Sequence, residues 1–165
     1  VDADTRAATV VQAQSGGKPY GDPVPAGKYG VLERAGREGL YRLERYDSYF
    51  GDDTTPEGRT NLRLHHPGLT TGCIAVCTVE EWASVSKLLG QTSTDTKEVD
   101  SKSLVGRLFG EKETLKSYGD LYVLPSGAKL NFNAKTGVVS ITTNRPGSRI
   151  PRTTIVCTVK DGKCR

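Results

Sequence analysis

The residues best suited to covalent chemistry lie together in the segment Arg63–Val76, RLHHPGLTTGCIAV. The chain has two histidines, His65 and His66, and they fall eight and seven residues before Cys73. A thiol attacks only as thiolate, and a neighbouring imidazole lowers its pKa enough to supply one near neutral pH. Pro67-Gly68 forces a turn between the two groups, so a strand ending at His65 can fold back beside the cysteine. Gly72, with no side chain, lets a carbonyl approach the Cys73 backbone, and the amides of Gly72 and Cys73 are natural donors to an oxyanion. The pattern predicts nucleophilic catalysis by Cys73 with His65 as base. His66 is the alternative base, or a solvent-facing or supporting neighbour.

Short strands and turns must position these groups. Nineteen glycines and eight prolines beside only 7% aromatics argue for many turns rather than a helical bundle. Strands are predicted at Ala8–Gln14, Lys28–Glu33, Leu40–Arg45, Asn61–His65 and Gly72–Val76, the second and third forming a hairpin. Tyr46–Gly58 reads as a polar loop whose Asp47, Asp52 and Asp53 are solvated turn residues, or orient His65 or bind a cation. Thr78 and Glu81 form a capping box before a helix over Val79–Leu89, with Val79, Trp82, Val85, Leu88 and Leu89 on one face and Gly90 as its stop. Gln91–Lys97 reads as linker. Asp100–Phe109 and Glu111–Tyr118 read as short helices, the first capped by Asp100. Strands then follow at Asp120–Leu124, Ala128–Phe132, Val138–Thr142 and Thr153–Val159.

The 165 residues suit one domain, and a chain of this size buries about 70% of its unfolded surface without a metal or disulfide. The net charge of +4 is scattered, with no dense basic run, which argues against a nucleic-acid surface and suits an anionic polymer. No window approaches the roughly 18 apolar residues of a membrane span, so membrane insertion is not expected. The start VDADTRAATVV has neither a basic nor a long apolar region, so no signal peptide is read there. Adjacent histidines point to opposite faces of a strand, so His65, His66, Cys73 and Cys77 are a poor zinc set; no metal and no cofactor are expected. Cys73 and Cys77 on one strand would lie about 13 Å apart, beyond the roughly 7 Å a disulfide allows. Cys157 and Cys164 flank a turn at Lys160-Asp161-Gly162 and are expected to pair, as in an oxidising compartment.

The strand ending in Arg63-Leu64-His65, the turn, and Thr71-Gly72-Cys73-Ile74 together resemble the signature of YkuD-type L,D-transpeptidases. The shorter-spaced form found in L,D-transpeptidase-like effectors of bacterial type VI secretion is the most similar. Ser15-Gly16 followed by Pro23-Val24-Pro25-Ala26-Gly27-Lys28-Tyr29 resembles that family's "SG … PIPxGxY" lead-in, and Leu62–His65 its "FRLH" strand. The similarity covers about residues 8–90, and it departs at Ala75, where classical members carry Arg.

The resemblance implies a mainly β (α+β) fold, a β-sandwich or barrel with a few short helices and a β-rich C-terminal extension. Residues 1–95 would be the catalytic region, and 96–165 would complete that domain or form a lid or subdomain. Cys73 would be the nucleophile, His65 the catalytic histidine, and Thr71 the family's Ser/Thr before it. Arg63 would hold a stem-peptide carboxylate or support the fold. The implied activity is L,D-carboxypeptidase action or D-amino-acid exchange at the diaminopimelate–D-Ala bond of peptidoglycan tetrapeptide stems. The implied setting is an antibacterial toxin secreted or delivered to the periplasm, with peptidoglycan stems and a cognate immunity protein as partners. The alternatives are a non-catalytic wall- or protein-binding domain, and a cysteine peptidase or amidase of another wall bond.

Overall fold

A computed structural model describes residues 8–16, 21–34, 36–92, 94–124, 129–133, 138–142 and 154–159, with backbone alone from residue 129 onward. Ten strands and two helices run in the order β1 (Ala8–Gln14), β2 (Gly27–Leu32), β3 (Leu40–Arg45), β4 (Arg63–His65), β5 (Ile74–Val76), α1 (Val79–Gln91), β6 (Asp95–Asp100), α2 (Leu104–Leu108), β7 (Lys112–Leu124), β8 (Lys129–Asn133), β9 (Val138–Thr142) and β10 (Thr154–Val159). The fold is mainly β, with a mixed sheet and two short helices.

Eight strands form one sheet in the order β10-β1-β5-β4-β3-β2-β7-β6, and β10 also pairs with β7, so seven of them close into a barrel. The β1–β10, β10–β7 and β4–β5 pairs are parallel, while the other pairs in the sheet are antiparallel. The predicted β2–β3 hairpin is present, with Val31 opposite Leu43. β7 and β10, from the C-terminal part of the chain, lie in the same sheet as β1–β5. β8 and β9 pair only with each other.

Side chains alternate across each strand, so each face has its own contents. The inward face supplies Val11, Tyr29, Val31, Leu43, Leu64, Ile74, Val76, Leu121 and Val123 to the main core, and α1 adds Val85 and Leu89. The Thr78 hydroxyl caps α1 by accepting from the Glu81 amide at 3.1 Å. The Glu81 carboxylate reaches the Thr78 hydroxyl and also the Gln12 amide of β1 at 3.0 Å, tying the helix to the sheet. Val79, expected on the buried face, is exposed, and α1 runs through Gly90 to a cap at Thr92.

Two predicted elements differ. Glu111–Tyr118 is not a helix but the first half of β7, and 95–100, read partly as linker, is strand β6. The register of β7 against β2 shifts between Val31 and Leu32, which makes Tyr118 a bulge. Leu121 and Val123 therefore face the main core, while Leu115 joins Leu32, Val99 and Phe50 in a second cluster outside the barrel. The bulge breaks the period-2 pattern, hence the helical reading. β6 is an edge strand with only Val99 buried, and its charged side chains imitate a linker. The short helix begins at Ser103, whose hydroxyl accepts from the Gly106 amide, rather than at Asp100.

The outer face of β2–β4 is covered by the loop that follows β3, which is fastened by buried charge as well as by Phe50. Arg42 and Glu44 are fully buried there. Arg42 donates to the Glu44 carboxylate through Nε at 2.9 Å and Nη2 at 2.6 Å, and to the Gly51 carbonyl at 3.0 Å. The other Glu44 oxygen accepts from the Gly51 and Asp53 amides, each at 3.0 Å. Asp53 in turn pairs with both terminal nitrogens of Arg63 at 3.0 Å. Burial pushes the Glu44 carboxyl upward, against the opposing pull of Arg42 and the two amides. Removing one member leaves an uncompensated buried charge, which costs about 3–5 kcal/mol. Glu44→Ala is therefore expected to lower the urea-unfolding free energy by about that amount; a loss under about 1 kcal/mol, the scale of an exposed pair, would contradict the network's structural role.

Candidate functional site

The candidate site lies on the outer face, where β4 and β5 run side by side. Leu64 is opposite Ile74 and His65 opposite Ala75 in the parallel register. Leu64, Ile74 and Val76 point into the core, so the alternate positions point outward, and Cys73, one residue before β5, follows the outward set. With strands about 4.8 Å apart and residues about 3.3 Å apart along each, Cys73 and His65 are diagonal neighbours at about 8 Å between Cα atoms. That is within reach of an imidazole.

Cys73 is half-buried and free. Its thiol donates to the Asn61 carbonyl at 3.7 Å. His65 is also half-buried, and its Nδ1 lies 2.8 Å from the His66 carbonyl. A carbonyl only accepts, so Nδ1 carries the proton and Nε2 keeps its lone pair. Thiol and imidazole are thus each held by a backbone carbonyl rather than hydrogen-bonded to each other. Burial holds the His65 pKa below the usual histidine value, with His66 acting in the same direction and the His66 carbonyl opposing. His66 is exposed, sets its own Nδ1 on the Pro67 carbonyl at 2.8 Å, and meets the Trp82 ring edge-on.

The loop carrying Cys73 is pinned by residues that sequence reasoning passed over. Thr70, buried, donates its hydroxyl to the Cys73 carbonyl at 2.9 Å, whereas Thr71 is exposed. Arg59 donates to the Gly72 carbonyl at 3.2 Å and to the Pro23 carbonyl at 3.0 Å, clamping two loops together. The lead-in motif holds the second of these loops. Ser15, fully buried, accepts from the Val24 amide at 2.7 Å, and the Tyr29 hydroxyl donates to the Pro25 carbonyl at 2.8 Å. Gly72 has φ +112°, and a Cβ there would sit 2.1 Å from the Arg59 guanidinium. No residue with a side chain fits without moving the clamp.

Arg63 is buried and saturated by Asp53, the Leu62 carbonyl and the Asn61 side chain. These contacts tie Arg63 into the loop that follows β3. Asp53 and Asn61, its side-chain partners, both adopt left-handed backbone, φ +59° and +57°, which Asp and Asn tolerate best. Asp52 and Asp47 accept from the backbone amides of Thr54 and Tyr49, as turn residues do. Ala75, where classical YkuD enzymes carry Arg, is fully buried.

Cys77 is disulfide-bonded while Cys73 is free. The sequence predicts a bridge between Cys157 and Cys164. Cys164 and the Cys157 side chain lie outside the described residues. Among the described residues no group of histidine, cysteine and carboxylate side chains has a metal-binding arrangement. No helix described is long and apolar enough to cross a membrane.

A β-rich fold with an outward-facing free thiol diagonal to a neutral imidazole is what the residues define. No family model, curated protein or solved structure matches this chain.

Gly72→Ala is expected to lower stability by about 2 kcal/mol, because the left-handed backbone and the displaced clamp both oppose it. A thermal melt reads this directly; an unchanged Tm would mean that the Cys73 loop is not held as described. His65 is expected to lose its proton below pH 6.5, because burial disfavours the imidazolium. The imidazole is then neutral and competent as a base through neutral pH, and is lost as a base only as the pH falls through the lowered value. An NMR titration placing the His65 midpoint above 6.5 would contradict this.

Proposed function

We propose that this protein is a peptidoglycan-modifying cysteine acyltransferase of the L,D-transpeptidase type. The observation that carries the reading is the parallel β4–β5 pairing, which sets His65 and the free Cys73 on one face of neighbouring strands. The thiol leaves the Asn61 carbonyl and turns to Nε2 of His65, which takes its proton. Catalytic hydrogen bonds of this kind are commonly long in an empty site and tighten around substrate. The YkuD-like character of the barrel rests on the motif resemblance and on the agreement of that motif with a β-rich fold.

The thiolate attacks the carbonyl at the L-centre of diaminopimelate in a tetrapeptide stem. The amides of Gly72 and Cys73 stabilise the resulting oxyanion. The intermediate collapses by breaking the C–N bond, the D-Ala amine leaves with the proton held by His65, and a thioester remains on Cys73. Water releases a tripeptide stem, or a D-amino acid takes the place of D-Ala; in either case His65 removes a proton from the incoming group. The Cys77 disulfide suits the periplasm, where an antibacterial effector delivered into a rival cell would meet its wall.

Incubation with purified muropeptides tests the reading by mass spectrometry. Wild-type protein is expected to convert tetrapeptide to tripeptide, or to the exchanged stem when a D-amino acid is present. Cys73→Ala, folded, is expected to be inactive. Cleavage at the lactyl amide instead would assign a wall amidase, and unchanged muropeptides with a reduced, folded protein would assign a binding domain.

A further inference from the structure

Beside Cys73 the outer face opens into a cavity of about 420 Å³, lined by Arg34, Lys102 and Arg107 together with Asp52, Asn61 and the Arg63–Asp53 pair. Asn61 joins cavity and nucleophile: it lines the cavity, and its carbonyl holds the Cys73 thiol. Four cations face two carboxylates. Asp53 is committed to Arg63 at 3.0 Å, and Asp52 turns one oxygen to the Thr54 amide. Arg107 uses Nε on the Ser101 carbonyl at 3.1 Å and keeps its other nitrogens. Arg34 and Lys102 make no ion pair among the described residues.

Like charges gathered at one cavity repel one another, and an anion seated among them is favoured. Burial, Arg63 and Arg37 hold Arg34 below its ordinary range, opposed by Cys73 and Asp53. Lys102 is lowered by partial burial and then by Arg63 and Arg42. We propose that the Arg34–Lys102–Arg107 cavity is a carboxylate-binding subsite, which seats a second, non-scissile carboxylate of the acyl donor attacked by Cys73. Guanidinium forks match carboxylates in plane, and the volume suits an acidic amino-acid residue rather than a whole glycan strand. The subsite deepens the acyl-transfer reading and rests on it for the identity of the donor. It specifies a donor whose free carboxylates are required, so that stems with amidated carboxylates are poor substrates.

The test reads Cys73 directly. Alkylation at Cys73 is followed by peptide mass spectrometry with iodoacetate, an anion, and with iodoacetamide, its neutral analogue. In the wild-type protein the iodoacetate rate is expected to saturate with concentration and to be slowed by glutarate. Arg34→Ala and Lys102→Ala are each expected to slow iodoacetate about tenfold, the scale of one lost hydrogen bond between charged groups. The iodoacetamide rate is expected to change little, which also reports that each variant is folded. Equal slowing of both reagents, no slowing of iodoacetate, or a Cys73 inert to both would overturn the proposal. Protection by inorganic phosphate as strong as that by glutarate would overturn the assignment to carboxylates. Charge-selective alkylation with unchanged muropeptides would keep the subsite and remove the acyl-transfer reading, and trimmed muropeptides without charge selectivity would do the reverse.

Discussion

Arg42, Glu44, Asp53 and Arg63 form a chain of alternating charge on the outside of the barrel, shielded from water, and the placement of the thiol depends on it. The loop from Tyr46 to Thr60 is too polar to be ordered by apolar burial alone. It is ordered because two buried guanidiniums require carboxylates, and because Glu44 requires the Gly51 and Asp53 amides. The same arrangement brings Asn61 to the start of β4, and Asn61 receives the Cys73 thiol. A buried ion network thus sets where the Cys73 thiol rests.

The barrel interior is filled by aliphatic side chains and Tyr29, so His65 and the free Cys73 stand outside it. This divides the work of each strand. On β4, Leu64 anchors the core while Arg63 and His65 face the charged side; on β5, Ile74 and Val76 anchor and the position before them presents the thiol. Gly72, without a side chain, admits the Arg59 guanidinium against the loop that carries Cys73.

Much of this was legible in the residues themselves. Local signals read well: β1, β3 and β9 fall at their predicted bounds, and Thr78 caps α1 as its type and position required. The nearness of His65 to Cys73 was legible because only a turn separates them. The misread features are those decided at long range. The bulge at Tyr118 obeys the needs of two hydrophobic clusters that no single window contains. Thr70 and Thr71 are indistinguishable in sequence, and the backbone path alone turns the first inward. Arg59 carries no motif and reaches Gly72 only through folding, and Arg34, Lys102 and Arg107 likewise come to one cavity.

The closure of the barrel has a consequence for how the molecule comes into being. β10 is inserted between β1 and β7 and pairs in parallel with both, so the first described strand is joined to the last. Until residues 154–159 have left the ribosome, β1 and β7 each lack a neighbour, and no early portion of the chain can complete the sheet. Contacts so distant in sequence are formed slowly and leave strand edges open in the meantime. The thiol would therefore acquire its fixed surroundings only after residues 154–159 have been made.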